Sequence, residues 1–177
     1  MISDFVKGKK KLDYPAGIQK GIILHRGIDE FTDSHEASKQ AKEIFRPHYR
    51  LYASAFIDVV YDYFVANDSN LFTESSLYQF TQNTYKLLEE RKQWFPGKFA
   101  LMFPYMRTQN WLFNYRYRWG TQRSFGGLVR RAKYLTESDT AFRLFEENIE
   151  TLQDCYDRFG PDLKNFAKNR FEALLNE

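Results

Sequence analysis

The sequence of 177 residues contains a single cysteine, Cys155, so it cannot form an internal disulfide. That usage is typical of the reducing cytosol, and we expect a cytoplasmic protein in which Cys155 fills the core. No apolar run reaches the roughly 18 residues that span a bilayer, because the stretch 51–66 is interrupted by Asp58 and Asp62. The first residues also lack the apolar segment of a secretory signal. These absences argue against a secreted disulfide scaffold and against a membrane protein.

Acidic residues are missing from 91–136, although the net charge of the whole chain is only +3. We call this segment the basic region. Its ten cationic residues are Arg91, Lys92, Lys98, Arg107, Arg116, Arg118, Arg123, Arg130, Arg131 and Lys133. Such a local positive field predicts an acidic partner. From charge alone, an acidic protein, a nucleic acid and an anionic membrane surface all qualify.

Hydrophobic residues make up 43% of the chain and aromatic residues 18%, which predicts a packed core. Apolar residues recur at helical spacing, and no convincing strand pattern is present. The sequence therefore predicts an all-α, single-domain helical bundle over 1–177. Within it, 2–135 carries the motifs and the helices of 138–175 are structural.

Proline and glycine predict several helix boundaries. Pro15 is expected to open the first clear helix, since proline is favoured in a first turn. Pro47 and Pro161 are expected to begin further helices, and Gly120 is expected to end one.

The stretch 21–33 places ionisable residues where a helix of this pattern should be apolar. Ile18, Ile22, His25 and Asp29 share one helical stripe, so His25 and Asp29 are predicted to point inward. A histidine and an aspartate four residues apart can bind one cation. A buried His–Asp pair with a purely structural role explains the pattern equally well.

A second pair of acids, Asp58 and Asp62, lies four residues apart in the apolar stretch 51–66. An unpaired buried carboxylate is very costly, so we expect this helix and the His25 helix to face one polar pocket. Mixed histidine and carboxylate ligands suit Mn, Fe, Mg or Zn, and the absence of thiolates argues against a structural zinc site. The pattern favours metal-assisted hydrolysis, above all of a phosphate ester.

Neighbouring polar residues have two interpretations each. Arg26 follows His25 and its guanidinium can bind a phosphate, but a surface arginine gives the same pattern. Asp33 and Glu36 have the spacing of a capping box in which Asp33 is the N-cap. On that interpretation, His35 lies in a solvated first turn.

Five segments occur together and in an order that a known family shares. They are Asp4-Phe-Val-Lys-Gly8, Gly21-Ile-Ile-Leu-His25-Arg26-Gly-Ile-Asp29-Glu-Phe-Thr-Asp33-Ser-His35, Asp58-Val-Val-Tyr-Asp62-Tyr-Phe-Val-Ala66, Asn110-Trp111-Leu112 and Gly127-Leu128-Val-Arg-Arg131. Through them the chain resembles, from Ile2 to about Leu135, the bacterial acyl carrier protein phosphodiesterase family. The resemblance implies an all-α fold like that of the HD superfamily of metal-dependent phosphohydrolases, in a version where His and Asp are not adjacent.

The resemblance also implies a reaction, the hydrolysis of the phosphodiester that joins 4'-phosphopantetheine to a serine of holo acyl carrier protein. The implied metal is Mn²⁺, with Mg²⁺ or Fe²⁺ as alternatives. It implies metal ligands at Asp4, His25, Asp29 and Asp62, catalytic roles for His25, Arg26, Asp29 and Asp62, and supporting positions for Asp33 and Asp58. Family members usually have an Asn-Phe-Leu-Ala-His type segment ahead of Asp4, so, if Met1 is the true start, one histidine ligand is expected to be missing.

An acidic carrier protein suits the basic region, where Arg116, Arg130 and Arg131 are the predicted substrate-binding residues. Two other functions are left open: an HD-like hydrolase of a nucleotide or another small phosphodiester, and a non-catalytic helical module that binds an acidic partner. The sequence contains no phosphate-binding glycine loop and no nucleophile elbow. Neither a membrane nor a nucleic acid is the expected partner, and the oligomeric state is not predicted.

Overall fold

The computed structural model describes residues 2–176, so Met1 and Glu177, the ends of the predicted domain, lie outside the described residues. The described part contains helices and no strand, which confirms the all-α prediction. The α-helices are α1 (Ala16–Ser34), α2 (Glu36–Tyr49), α3 (Ala53–Asn67), α4 (Glu74–Glu90), α5 (Gly97–Thr108), α6 (Trp111–Asn114), α7 (Arg118–Arg131), α8 (Asp139–Glu147) and α9 (Ile149–Asn176). No helix in this part of the chain is both long and apolar enough to cross a membrane.

The main core lies between α2, α3, α7, α8 and α9. Burial of each large apolar side chain contributes about 1.5–3 kcal/mol, so the phenylalanines of this core are its chief source of stability. The fully buried ones are Phe45, Phe56, Phe125, Phe145 and Phe159. Helices α1 and α3 both pack against α2 and α9, which brings one face of α1 and one face of α3 to the same side of the molecule.

A smaller layer, α4 to α6, has a core of its own around Tyr85, Phe99, Phe103 and Met106. The N-terminal segment joins the two layers, because Phe5 packs on Phe99 with ring centroids 5.7 Å apart. A cleft of about 950 Å³, here called the large cleft, lies between residues of α3, α5, α6 and α7.

Helix α1 begins directly after Pro15 as predicted, but three other predicted boundaries are wrong. Pro47 and Pro161 lie inside α2 and α9, where the packing of both helices in the main core offsets the lost hydrogen bond. Gly120 lies inside α7, where a Cβ atom would come within 1.9 Å of the carbonyl oxygen of Asn114. Gly120 is therefore needed for a close backbone approach, and it does not end a helix.

The predicted N-cap at Asp33 is also wrong. Helix α1 continues through Ser34, and the N-cap of α2 is His35, whose Nδ1 accepts a hydrogen bond from the Ala37 amide at 3.2 Å. The Asp33 carboxylate instead accepts a hydrogen bond from Lys42 Nζ at 2.7 Å. Asp33 thus pairs with a cation, and His35, two residues later, caps α2.

Candidate metal centre

Three of the predicted ligands come together at the N-terminal segment and α1. One ligand atom from each of Asp4, His25 and Asp29 lies within 4.8 Å of the others. His25 Nδ1 is 2.9 Å from Asp29 Oδ2, and His25 Nε2 is 3.8 Å from Asp4 Oδ1. We call these three residues the His25 cluster. One imidazole and two carboxylates form a donor set that suits a divalent cation such as Mn²⁺ or Fe²⁺.

Asp29 also orients the imidazole. Either ring nitrogen of a histidine can bind an ion, and a carboxylate in contact with the ring helps to set its orientation. In this cluster the contact between Nδ1 and Asp29 leaves Nε2 directed toward Asp4. The ring therefore lies between the two carboxylates.

The position of the Asp4 side chain depends on the contacts made by the short segment that carries it. Asp4 lies in a 3₁₀ turn, Ser3–Phe5, which contacts α1 and packs on Phe99 through Phe5. Arg26 of α1 donates a hydrogen bond to the carbonyl oxygen of Val6 just after that turn. Arg26 thus fixes the segment that carries Asp4, while its predicted contact with a phosphate stays a prediction.

The prediction that His25 and Asp29 point inward does not hold for Asp29, which is exposed, and His25 is only partly buried. Ile22, one turn earlier, is only 2% exposed, but the His25 side chain is 33% exposed and that of Asp29 is 55% exposed. The stripe leaves the packed interior after Ile22, so His25 and Asp29 are accessible to an ion and a substrate.

The acid pair on α3, Asp58 and Asp62, is likewise open to solvent and not buried as predicted. The surrounding protein nevertheless limits the hydration of both carboxylates. Loss of hydration, followed by repulsion from Asp29 and Asp33, raises the pKa of Asp58 to about 7. Loss of hydration and repulsion from Asp58 raise the pKa of Asp62 to about 7. The effect of Asp29 on Asp58 supports the prediction that α1 and α3 face one polar site.

Lys42 is a site residue that the sequence interpretation missed. Its side chain is almost fully buried, bonds to Asp33, and lowers the pKa of Asp58 against the larger raising effects. The spacing of Ser38, Lys42, Phe45 and Tyr49 puts Lys42 on the buried stripe of α2. A lysine on a buried stripe is the pattern that could have identified it.

Asp62 lies apart from the His25 cluster. Within residues 2–176, only Asp4 and Asp29 lie close enough to share an ion with His25. Asp62 is instead near Tyr115, whose pKa is raised by burial and then by the Asp62 carboxylate. The roles of Asp62 as a ligand and catalytic residue, and of Asp33 and Asp58 as supports, stay predictions.

The large cleft opens beside these acids and has a basic lining. Phe5 and Val59, which follow Asp4 and Asp58 in the chain, are part of its wall. Its cationic residues are Lys98, Arg123, Arg130 and Arg131, and its aromatic residues include Trp111, Tyr115 and Trp119. Two of the three predicted substrate-binding arginines therefore line one cleft next to the acids.

The third, Arg116, does not line that cleft. Its Nη1 is 3.1 Å from Glu74 Oε2, and its guanidinium lies 5.4 Å and 5.5 Å from the ring centroids of Phe113 and Tyr117. The carboxylate of Glu74 thus balances the guanidinium charge, and the two aromatic rings contact the faces of the guanidinium. A substrate contact by Arg116 stays a prediction.

Comparison with known proteins agrees with the segments seen in the sequence. The family model described as acyl carrier protein phosphodiesterase matches residues 1–163, well beyond Leu135 and into α9. The acyl carrier protein phosphodiesterase of Klebsiella pneumoniae is 29% identical over 96% of this chain and 89% of the relative. Those of Photorhabdus laumondii and Yersinia pestis are 28% and 26% identical over 96% of this chain, and the matches cover 86% and 89% of those proteins.

No solved structure matches the chain, so its likeness to the HD-domain fold stays a prediction. The family match spans most of the sequence, and the chain therefore belongs to the acyl carrier protein phosphodiesterase family.

Proposed function

We propose that this protein is a metal-dependent phosphodiesterase that removes 4'-phosphopantetheine from holo acyl carrier protein. The observation that carries the proposal is the His25 cluster, with its ligand atoms within 4.8 Å of one another, in a chain of this family. The products are the apo carrier protein and 4'-phosphopantetheine. Water adds to phosphorus, and the phosphorus–oxygen bond to the carrier serine breaks.

Asp4, His25 and Asp29 would hold the ion, with Mn²⁺ as the proposed metal and Mg²⁺ or Fe²⁺ as alternatives. A divalent ion at such a site would act as a Lewis acid toward phosphoryl oxygens and would lower the pKa of a bound water to about 7. The surrounding charge supports this fit, because Asp58 is held close to Asp29, Asp33 and Asp4 with Lys42 as its compensating cation. A group of carboxylates whose negative charge is balanced by so few cationic side chains favours binding of a metal cation.

The protein's own residues would orient the reaction around that ion. Arg26 holds the segment that carries Asp4. Arg130 and Arg131 line the cleft beside the acids, where their guanidinium groups can bind the anionic substrate. The basic region as a whole would steer an acidic carrier protein to the site, and this attraction weakens as salt is added.

We also infer that the protein acts in the cytoplasm. Cys155 is a free, fully buried thiol, which supports a reducing environment.

The test uses the full chain, Mn²⁺ and purified holo carrier protein, with the mass of the intact carrier as the readout. The wild-type protein is expected to reduce that mass by the phosphopantetheine group, and EDTA is expected to prevent the loss. Asp29→Ala should remove the activity, while Asp154→Ala, an exposed acid on α9, serves as the matched control.

A second readout is independent of turnover. Mn²⁺ is expected to raise the melting temperature of the wild-type protein and of Asp154→Ala, but not that of Asp29→Ala. A carrier whose mass is unchanged by the wild-type protein with Mn²⁺, or full activity of Asp29→Ala, would contradict the proposal.

A further inference from the structure

A second pocket, of about 390 Å³, lies where α2 meets α3. We call it the small pocket. It is lined by Asp33, Lys42, Arg46, Arg50, Leu51, Ala53 and Ser54. Asp33 is the single acid of this lining, and Lys42 already pairs with it at 2.7 Å. The remaining charged residues of the lining are Arg46, which pairs with Glu43 outside the lining, and Arg50.

The small pocket and the large cleft lie at the two ends of one row of side chains on α3. Ser54, Asp58 and Asp62 recur every four residues and so share one helical face. Ser54 belongs to the small pocket, while Asp62 lies near Tyr115 of the large cleft. With a rise of about 1.5 Å per residue, the row is about 12 Å long. Cationic surfaces therefore flank the acid pair on both sides.

The residues between α2 and α3 present an apolar side chain to water between cations. Leu51 is 96% exposed, more than any other large hydrophobic residue of the described chain. The backbone of Arg50 has φ 48° and ψ −120°, a conformation that favours glycine. Arg46 pairs with Glu43 at 2.7 Å, whereas Arg50 makes no ion pair with any residue in 2–176. Arg50 and Leu51 thus place a cation that no carboxylate of the described residues neutralises next to an exposed apolar side chain, and a protein surface that carries both acids and apolar side chains complements this combination.

We propose that Arg46, Arg50 and Leu51, here called the α2–α3 corner, form a docking surface for an acidic patch of the carrier protein. This inference rests on the proposed function, because it takes the carrier protein as the substrate. Carboxylates of the carrier pair with the two arginines, and an apolar side chain of the carrier covers Leu51. A small anion such as phosphate would gain nothing from Leu51, so the combination favours a protein surface.

The position of the α2–α3 corner also explains how one substrate can be held at two points. The carrier contacts the corner at the Ser54 end of the row, and the basic lining of the large cleft binds at the Asp62 end. The phosphodiester then lies between them, above the acid pair and next to the His25 cluster. Two separated contacts fix the orientation of the carrier, which a single charged patch does not.

The test measures the dissociation constant of fluorescently labelled holo carrier protein in EDTA, so that binding is separated from turnover. Arg50→Glu is expected to weaken binding by about tenfold at low salt, and Leu51→Ser by about threefold, with the first effect shrinking as salt is added. Lys86→Glu, the same charge change at an exposed position on α4, should change binding by less than about twofold. Hydrolysis of a small chromogenic phosphodiester with Mn²⁺ should be equal in all variants. Should Arg50→Glu not fold, Arg46→Glu carries the same expectation.

The outcomes separate this inference from the proposed function. Unchanged binding in both Arg50→Glu and Leu51→Ser, or no binding of the carrier to the wild-type protein, overturns the docking surface. If the wild-type protein also releases phosphopantetheine in that case, the proposed function stands without it. If Arg50→Glu and Leu51→Ser weaken binding but the wild-type protein releases no phosphopantetheine, the docking surface stands and the reaction is wrong.

Discussion

Replacing Asp58 by asparagine is expected to stabilise the metal-free protein at alkaline pH. Loss of hydration and repulsion from Asp29 and Asp33 raise the pKa of Asp58 from 3.8 to about 7. Between these two values the folded protein keeps a proton that the unfolded chain releases, so stability falls as the pH rises from about 4 to about 7. Above pH 7 the free energy of unfolding is lowered by the full cost of the charged Asp58 carboxylate. An asparagine side chain carries no charge that its neighbours could repel, so Asp58→Asn avoids that cost.

The size of the stabilisation follows from the pKa shift of Asp58 and from the exposure of its side chain. One pKa unit corresponds to about 1.4 kcal/mol, so a sealed group shifted from 3.8 to about 7 would cost about 4 kcal/mol. Asp58 is open to solvent, which screens the repulsion, and we expect about 1–2 kcal/mol at pH 8.5. For a domain of this length, that raises the melting temperature by about 3–6 °C.

The assay is thermal unfolding followed by circular dichroism, in EDTA, at pH 5 and pH 8.5. Asp58→Asn should exceed the wild-type melting temperature at pH 8.5 by more than it does at pH 5. Asp154→Asn, an exposed acid outside the site, should follow the wild-type protein at both values. An Asp58→Asn variant that melts at or below the wild-type temperature at pH 8.5 would refute the idea that the acids repel one another.

Three further changes probe other parts of the molecule. Lys42→Met removes two hydrogen bonds to the end of α1 and should lower the free energy of unfolding by about 1–3 kcal/mol in urea, whereas exposed Lys39→Met should change it little. Gly120→Ala should cost more than about 2 kcal/mol, because its Cβ would lie 1.9 Å from the Asn114 carbonyl oxygen, and a wild-type urea midpoint would contradict this packing. Arg131→Glu should slow turnover of the carrier protein by about tenfold at low salt and spare a small chromogenic phosphodiester. Equal losses on both substrates would favour hydrolysis of a small phosphodiester as the natural reaction.

The spacing predicted which residues share a helical face, but not how exposed those residues are. The stripe of Ile22, His25 and Asp29 does face other parts of the protein, as its spacing required. Periodicity identifies the face that turns away from bulk solvent, and a packed interface and an open cleft both satisfy it. Only the tertiary arrangement places Ile22 in the packed part and Asp29 in the open part. The same limit applies to the acid pair on α3.

Predictions from prolines, from glycines and from runs of charged residues were less reliable, for a different physical reason. Pro161 lies inside a long helix because core packing around that helix outweighs one missing hydrogen bond. The run of basic residues correctly indicated a positive surface, yet Arg116 is engaged by Glu74 from another helix. Such pairings depend on contacts between distant parts of the chain, which a local pattern does not contain.

The N-terminal turn gives the proposed site a thermodynamic link to the smaller helical layer. Asp4 belongs to a segment that packs on Phe99 of α5 through Phe5 and bonds to Arg26 of α1. An ion held by Asp4 and His25 at once therefore binds only while both layers are docked. By mass action, ligand at about a hundred times its dissociation constant adds about 2.7 kcal/mol to the state that binds it. Undocking of α4 to α6 would then be governed by the free concentration of the ion, so that metal depletion loosens the wall of the large cleft before it unfolds the main core.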